Sequence, residues 1–159
     1  MFTVVLVRPQ VAGNIGAIAR VMANFDMTRL VLVASECDHL SKEAQDRAKH
    51  AKRILLRARV EPLTVLDSFD YVIGTTAQIG TEFNIPRSPV MLKDAARSVD
   101  KRTNIAIVFG SEGTGLTNDE IALCDYVVKI STSKKYPALN VSHAVAIVLY
   151  ELFAANKRP

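Results

Sequence analysis

Five short runs of Val, Ile and Leu constrain this chain more than any other feature. They are Phe2–Val7, Leu30–Val33, Ile105–Phe109 and the segments 71–73 and 126–130. Each is nearly continuous rather than alternating, the pattern of strands covered on both faces in a parallel sheet. Helical spacing fills the gaps. Ile15, Ile18, Ala19 and Met22 form one face of a first helix, and Val141, Ala144, Val145, Val148, Leu149 and Leu152 form one stripe of a last helix. Ser88 and Pro89 read as an N-cap and first position of a helix running to about Val99. Thr117 with Glu120 is a capping box for a short helix. Strands alternating with helices predict an α/β fold, a mostly parallel sheet of five or six strands with helices on both faces.

The 159 residues suit a single domain, 1–159, large enough to bury its own core. Hydrophobic residues at 49% and charged residues at 23% exclude a largely disordered chain. No apolar run reaches the roughly 18–20 residues of a membrane span, and residues 1–7 are too short for a signal peptide. Cys37 and Cys124 stand far apart, too few for a disulfide framework or a zinc cluster. The expectation is a soluble, cytoplasmic protein without a metal.

The net charge of +4 is weak evidence for a nucleic-acid partner, but its distribution is uneven. Residues 42–59 hold seven basic side chains, Lys42, Arg47, Lys49, Lys52, Arg53, Arg57 and Arg59, against two acids, Glu43 and Asp46. Ala44, Ala48, Ala51 and Leu55 fall on one helical face of the same stretch. Such a segment is either a solvated helix face or a phosphate footprint, with Lys49, Lys52 and Arg53 its centre.

Three loops at the strand ends carry the candidate chemistry, where open α/β sheets place ligands. The first runs from Pro9 to Arg20, the second from Gly110 to Leu116, and the third from Tyr136 to Ser142. Familiar nucleotide motifs fail on them. Gly110 and Gly115 have P-loop spacing, but Leu116 stands where the phosphate-binding lysine must be. Neither loop has the dinucleotide glycine order. His39, His50 and His143 show no metal-ligand spacing, and no nucleophile elbow is present.

The segments G-N-I-G-A-I-A-R (13–20), I-V-F-G-S-E-G-T-G-L (107–116) and L-N-V-S-H-A-V-A-I-V-L-Y-E (139–151) resemble the three motifs of the SpoU family of RNA ribose 2'-O-methyltransferases, in the SPOUT superfamily. Order, spacing and strand pattern agree over nearly the whole chain. The similarity is strongest to members acting on nucleotide 32 of the tRNA anticodon loop; those acting at the wobble nucleotide are the near competitor. The resemblance implies a deep C-terminal trefoil knot, a homodimer, and S-adenosylmethionine bound in the knot. It places the cofactor against Thr75, Thr76, Ala77, Gly110, Ile130, Pro137, Ala138 and Leu139, and the reacting ribose near Arg20, Asn14, Glu112 and Asn140. It leaves room for a C-terminal extension. An rRNA substrate, or a catalytically silent RNA-binding protein with the same knot, are the alternatives.

Guanidinium stays protonated, so Arg20 is read as pairing with an RNA phosphate and the ribose oxygen rather than as a base. Glu112 serves equally as a cap for neighbouring amides, and Asn14 and Asn140 as N-caps of the helices that follow. Ala138 departs from the family pattern, where many members carry a serine. Tyr136 and Ser142 are the nearby hydroxyls able to stand in for it.

Overall fold

In a computed structural model that describes residues 1–76, 90–92, 95 and 103–157, all five apolar runs become strands. They are β1 (Phe2–Val7), β2 (Leu30–Val33), β4 (Tyr71–Thr76), β6 (Ile105–Phe109) and β7 (Tyr126–Lys129). Two short strands, β3 (Arg59–Glu61) and β5 (Val90–Met91), add to them, so the sheet has seven strands rather than five or six. Its order is β3-β2-β1-β6-β4-β7-β5, and every pairing is parallel. The extra strands lie at the two edges, where one flank needs no partner and the apolar run that marks a central strand is not required.

Alternate side chains of each strand feed two separate cores. Val4, Leu6, Leu32, Ile107 and Phe109 face α1 (Ala12–Asn24), α2 (Lys42–Ala48), α3 (Lys52–Leu56) and α5 (Val141–Lys157). Ile15, Ile18, Ala19 and Met22 of α1 are buried there, as are Val145, Val148, Leu149 and Leu152 of α5. Val5, Val7, Val31, Val33, Ala106 and Val108 face the other way, under a 3-10 turn (Leu63–Ser68) and α4 (Asn118–Ala122). Cys124 is a fully buried packing residue of this second core.

Gly16 marks the closest helix packing. A Cβ there would lie 2.1 Å from the carbonyl oxygen of Ala44, so only glycine lets α1 and α2 approach this far. The basic segment is not one helix. It breaks at Lys49, whose φ is +53°, into α2, a 3-10 turn (Lys49–Ala51) and α3. Ala44, Ala48, Ala51 and Leu55 are buried all the same. Within the helix expected from Ser88, Val90 and Met91 are strand instead, because they pair with Val128 and Lys129 of β7. Ser88 and Pro89 lie outside the described residues.

This strand order fixes the site. With β1 beside β6, and Leu6 level with Phe109, the loops leaving these strands emerge side by side at the C-terminal edge of the sheet. The chain leaving β7 enters α5 at the same edge, and α5 packs beside α1.

Candidate active site

The loop after β6 turns back sharply on itself. Gly115 donates its amide to the Ser111 carbonyl at 2.9 Å, with φ at +66°, the left-handed region that glycine enters freely. Ser111 and Thr114 join their hydroxyls at 2.9 Å. The folded loop presses on Gly110, where a Cβ would fall 2.0 Å from the Gly115 carbonyl carbon and 2.2 Å from the Leu116 nitrogen.

That turn projects Glu112 onto the start of α1. Its carboxylate accepts from the backbone amides of Gln10 at 2.9 Å and Val11 at 3.2 Å, and from the side-chain amide of Asn14 at 3.1 Å. Val11 is the N-cap position and makes no side-chain cap of its own. A carboxylate from the second motif thus satisfies donors at the helix start and meets its positive dipole end. Asn14 is therefore not the N-cap expected from the sequence: with the cap supplied from across the fold, α1 starts earlier and Asn14 lies inside its first turn. Asn140 does cap its helix, accepting from the Ser142 amide at 2.8 Å.

Asn14 then joins the third motif. The Asn140 amide donates to Asn14 Oδ1 at 3.3 Å, and Ser142 Oγ donates to Asn140 Oδ1 at 2.7 Å. The bonds run unbroken from Ser142 through Asn140 and Asn14 to Glu112. Three of the four residues assigned to the ribose site are gathered by it. Arg20, the fourth, lies about 9 Å further along α1, exposed, with no hydrogen bond or ion pair among the described residues.

A second anchor escaped the sequence reading. Arg8, held at a φ of +51° just past β1, sends Nε and Nη2 to the two oxygens of Glu120, each at 2.9 Å, and Nη2 also to the Gly115 carbonyl at 3.1 Å. Glu120 completes the capping box, accepting from the Thr117 amide at 2.8 Å. Burial pushes its carboxyl up, but the Arg8 hydrogen bond and charge, with the Thr117 amide, outweigh this and hold it below the ordinary value. The same bond raises the Arg8 guanidinium. One arginine thereby ties the end of β1 to the C-terminal side of the Gly110-to-Thr117 turn and to the capping box that follows it. The available signal was a charged residue directly after the apolar run Val4–Val7.

The residues assigned to the cofactor are distributed along the same edge. Thr75 and Thr76 are half-buried at the end of β4, and Thr75 Oγ1 donates to the Val108 carbonyl at 3.0 Å. Ala77 lies outside the described residues. Ile130 and Leu139 are half-buried, while Pro137 and Ala138 are exposed. An open cavity of about 660 Å³ brings Ala138, Leu139 and Asn140 together with Thr132, Ser133, Tyr136 and His143. Thr75, Gly110 and Ile130 do not line it. Gly110 and Glu112 instead border a narrow crevice with Val141 at the head of α5. Lys49, Lys52 and Arg53 are all exposed. Among the described residues, no cluster of His, Cys, Asp and Glu could hold a metal ion, and no helix is long and apolar enough to cross a membrane.

The sequence profile of the SpoU rRNA Methylase family matches residues 1–150. The chain belongs to this family. Among its SpoU relatives, the tRNA (cytidine-2'-O-)-methyltransferase TrmJ of Methanocaldococcus jannaschii is 41% identical, over 99% of this chain and 70% of the relative. The crystal structure of TrmJ from Z. mobilis ZM4 superposes with a TM-score of 0.89 at 29% identity, over 100% of this chain and 71% of that one. The fold is also shared by the SpoU methyltransferase AviRb from Streptomyces viridochromogenes, solved in complex with the cofactor AdoMet. That match has a TM-score of 0.75 and 24% identity, over 98% of this chain and 60% of AviRb.

The cavity offers a small molecule both apolar and polar contacts. The cavity falls within the roughly 300–1,000 Å³ of small-molecule sites, and joins apolar Leu139 to the Thr132, Ser133, Tyr136 and Asn140 polar groups. At Gly110 the space a side chain would take is already filled by the backbone of Gly115 and Leu116, so glycine is what lets the turn fold back onto β6.

Proposed function

We propose that this protein transfers a methyl group from S-adenosylmethionine to a ribose 2'-oxygen of tRNA, at cytidine or uridine 32 of the anticodon loop. Residues 1–159 form one methyltransferase domain, with a C-terminal extension left open, and the protein acts in the cytoplasm as a homodimer with the C-terminal knot of its family. The observation that carries this reading is the hydrogen-bond chain from Glu112 through Asn14 to Asn140, which joins three distant motifs beside a ligand-sized cavity. The tRNA-specific names of the TrmJ relatives support the substrate class.

Gly110, Ile130, Pro137, Ala138 and Leu139 would hold the cofactor, together with Thr75, Thr76 and Ala77. Bound there, it supplies an electrophilic methyl group on a positively charged sulfur. The protein's part is alignment of the ribose oxygen with that methyl group. Leu139 and Ile130 offer apolar faces to a purine ring, and backbone groups around Gly110 its hydrogen-bond partners. Asn14 and Asn140, fixed through Glu112, orient the ribose. The Arg20 guanidinium stabilises negative charge developing on the 2'-oxygen while gripping the adjacent phosphate, and the hydroxyl proton passes to a water at the open rim of the site. Lys49, Lys52 and Arg53 bind tRNA phosphates away from the reaction. The dimer would bury the outward face of α5, where Ile147 and Tyr150 are exposed and Tyr150 meets Phe25 at the end of α1.

The test is incubation with labelled S-adenosylmethionine and unmodified tRNA transcripts, followed by mapping of the ribose methyl. Label at nucleotide 32 is expected. Label at the wobble nucleotide, or only on rRNA, overturns the assignment of position or substrate. Tight tRNA binding without any transfer identifies a silent RNA-binding protein.

A further inference from the structure

We propose that Ser142 is a positioning residue for methyl transfer, one that makes Asn140 a dedicated hydrogen-bond donor toward the substrate. The inference rests on the reading above and follows from the direction of the hydrogen bonds.

An asparagine amide is ambiguous, because its oxygen and nitrogen can exchange places wherever the partners tolerate both. Here neither end of the chain tolerates exchange. Glu112 at one end is a carboxylate already receiving two backbone amides, so it only accepts, and Asn14 must turn its Nδ2 toward it. Asn14 Oδ1 is then left facing Asn140, which must present Nδ2. At the other end the Ser142 backbone N–H can only donate, so Asn140 must present Oδ1 there, and it does at 2.8 Å. An acceptor-only group and a donor-only group set one polarity for both amides.

The Ser142 hydroxyl adds a second donor to the same oxygen, at 2.7 Å. Helix capping does not require it, since the backbone bond alone serves the cap. Its effect is to occupy both lone pairs of Asn140 Oδ1. What Asn140 has left is the second hydrogen on Nδ2, and the residue is exposed beside the cavity, where a ligand can reach it. Asn140 can therefore donate to an oxygen of the nucleotide, from ribose or phosphate, but has no lone pair to take the 2'-hydroxyl proton. Ser142 also supplies a hydroxyl two residues beyond the Leu139-Asn140 pair, in a chain whose motif carries Ala138 where many family members have serine. The two positions need not do the same work: Ser142 acts through Asn140.

Thr and Val at position 142 have the same shape and differ by the hydroxyl, so their comparison separates the hydrogen bond from packing. Both are measured with saturating S-adenosylmethionine and an unmodified tRNA transcript, alongside Asn140→Ala and the double variant Asn140→Ala/Ser142→Val. Ser142→Val should lower kcat about tenfold with little change in KM, while Ser142→Thr stays within about twofold of the unaltered protein. Placed on Asn140→Ala, Ser142→Val should cost nothing further. The melting temperatures of the Thr and Val variants should agree. The inference is overturned if Val and Thr have equal turnover, or if the Val effect persists undiminished in the Asn140→Ala background. If the unaltered protein transfers no methyl group to tRNA, the functional reading fails instead.

Discussion

Arg8 and Glu120, 112 residues apart, meet in a two-pronged ion pair with both N···O distances at 2.9 Å. The pair is one-sided in burial: the Glu120 side chain is 10% exposed and that of Arg8 26%. Solvent reaches the cation but hardly the anion, so the carboxylate depends on its partner more than the guanidinium does.

Removing the cation should therefore cost more than an ordinary surface pair. Arg8→Ala leaves Glu120 buried with only the Thr117 amide against its charge. We expect a loss of about 2 kcal/mol at neutral pH, below the roughly 3–5 kcal/mol of a fully buried pair because Arg8 is partly solvated. The unaltered protein holds the Glu120 carboxyl below its ordinary value of 4.5. Its contribution is thus present above that pH and is lost as pH falls through the lower, folded value. Denaturant titrations at neutral and acid pH should show the two proteins converging on acidification. A gap that stays constant with pH would show that the pair contributes no charge-dependent stability.

The three motifs were legible in the sequence, but the bonds joining them were not. The five central strands could be read because burial on both faces forces continuous apolar runs. Arg59-Val60-Glu61 carries no such mark, since an edge strand with exposed side chains satisfies its backbone on one flank only. The break at Lys49 has neither glycine nor proline to announce it. Asn14 resembled a cap because local spacing cannot reveal that Glu112 reaches the amides of Gln10 and Val11 from about a hundred residues away. Arg8 and Glu120 were each visible as single residues, and only the adjacency of β1 and β6 makes them a pair.

Gly110→Ala should disturb the loop rather than a single contact. The new Cβ would sit within 2.3 Å of three backbone atoms of Gly115 and Leu116, none of which can rotate aside. The turn must move as a whole, at a cost of about 1–3 kcal/mol. Affinity for S-adenosylmethionine, followed by calorimetry, should fall at least tenfold. Undiminished affinity in a destabilised variant would mean that Gly110 serves only the packing of the turn.

The outward face of α5 is the proposed dimer contact. Ile147→Asp places a charge where Ile147 is 37% exposed, so folding of the isolated chain should change little. If two copies bury this face, sedimentation should show the variant shifting to monomer and losing methyl transfer with it. An unaltered protein that is monomeric and active at micromolar concentration contradicts the dimer.

The basic segment should act on affinity rather than chemistry. Lys49, Lys52 and Arg53 are exposed on a stretch with five more bases than acids. Neutralising all three should raise KM for tRNA more than it lowers turnover at saturation. Each lost phosphate contact should also flatten the slope of log affinity against log salt by about 0.7–0.9. An unchanged slope would make the segment an ordinary solvated surface, leaving Lys134, Lys135 and the motif loops to hold the RNA.

Arg20→Ala separates folding from chemistry most cleanly. The side chain is exposed on α1 and makes no bond among the described residues, while Ile18, Ala19 and Met22 beside it carry the packing. Stability should stay within about 0.5 kcal/mol of the unaltered protein, the usual range for such a surface change. Cofactor affinity should also be unchanged, since the cavity lies at Ala138, Leu139 and Asn140. Methyl transfer should nevertheless fall by far more than tenfold, because stabilisation of the developing oxyanion would be gone. Arg20→Lys should recover little of it. Lysine keeps the charge but lacks the planar fork that could meet a phosphate and a ribose oxygen together. A variant retaining over a tenth of the rate, a loss below about 1.4 kcal/mol, would exclude Arg20 from the reaction and leave Asn14 and Asn140 as the groups nearest the substrate oxygen.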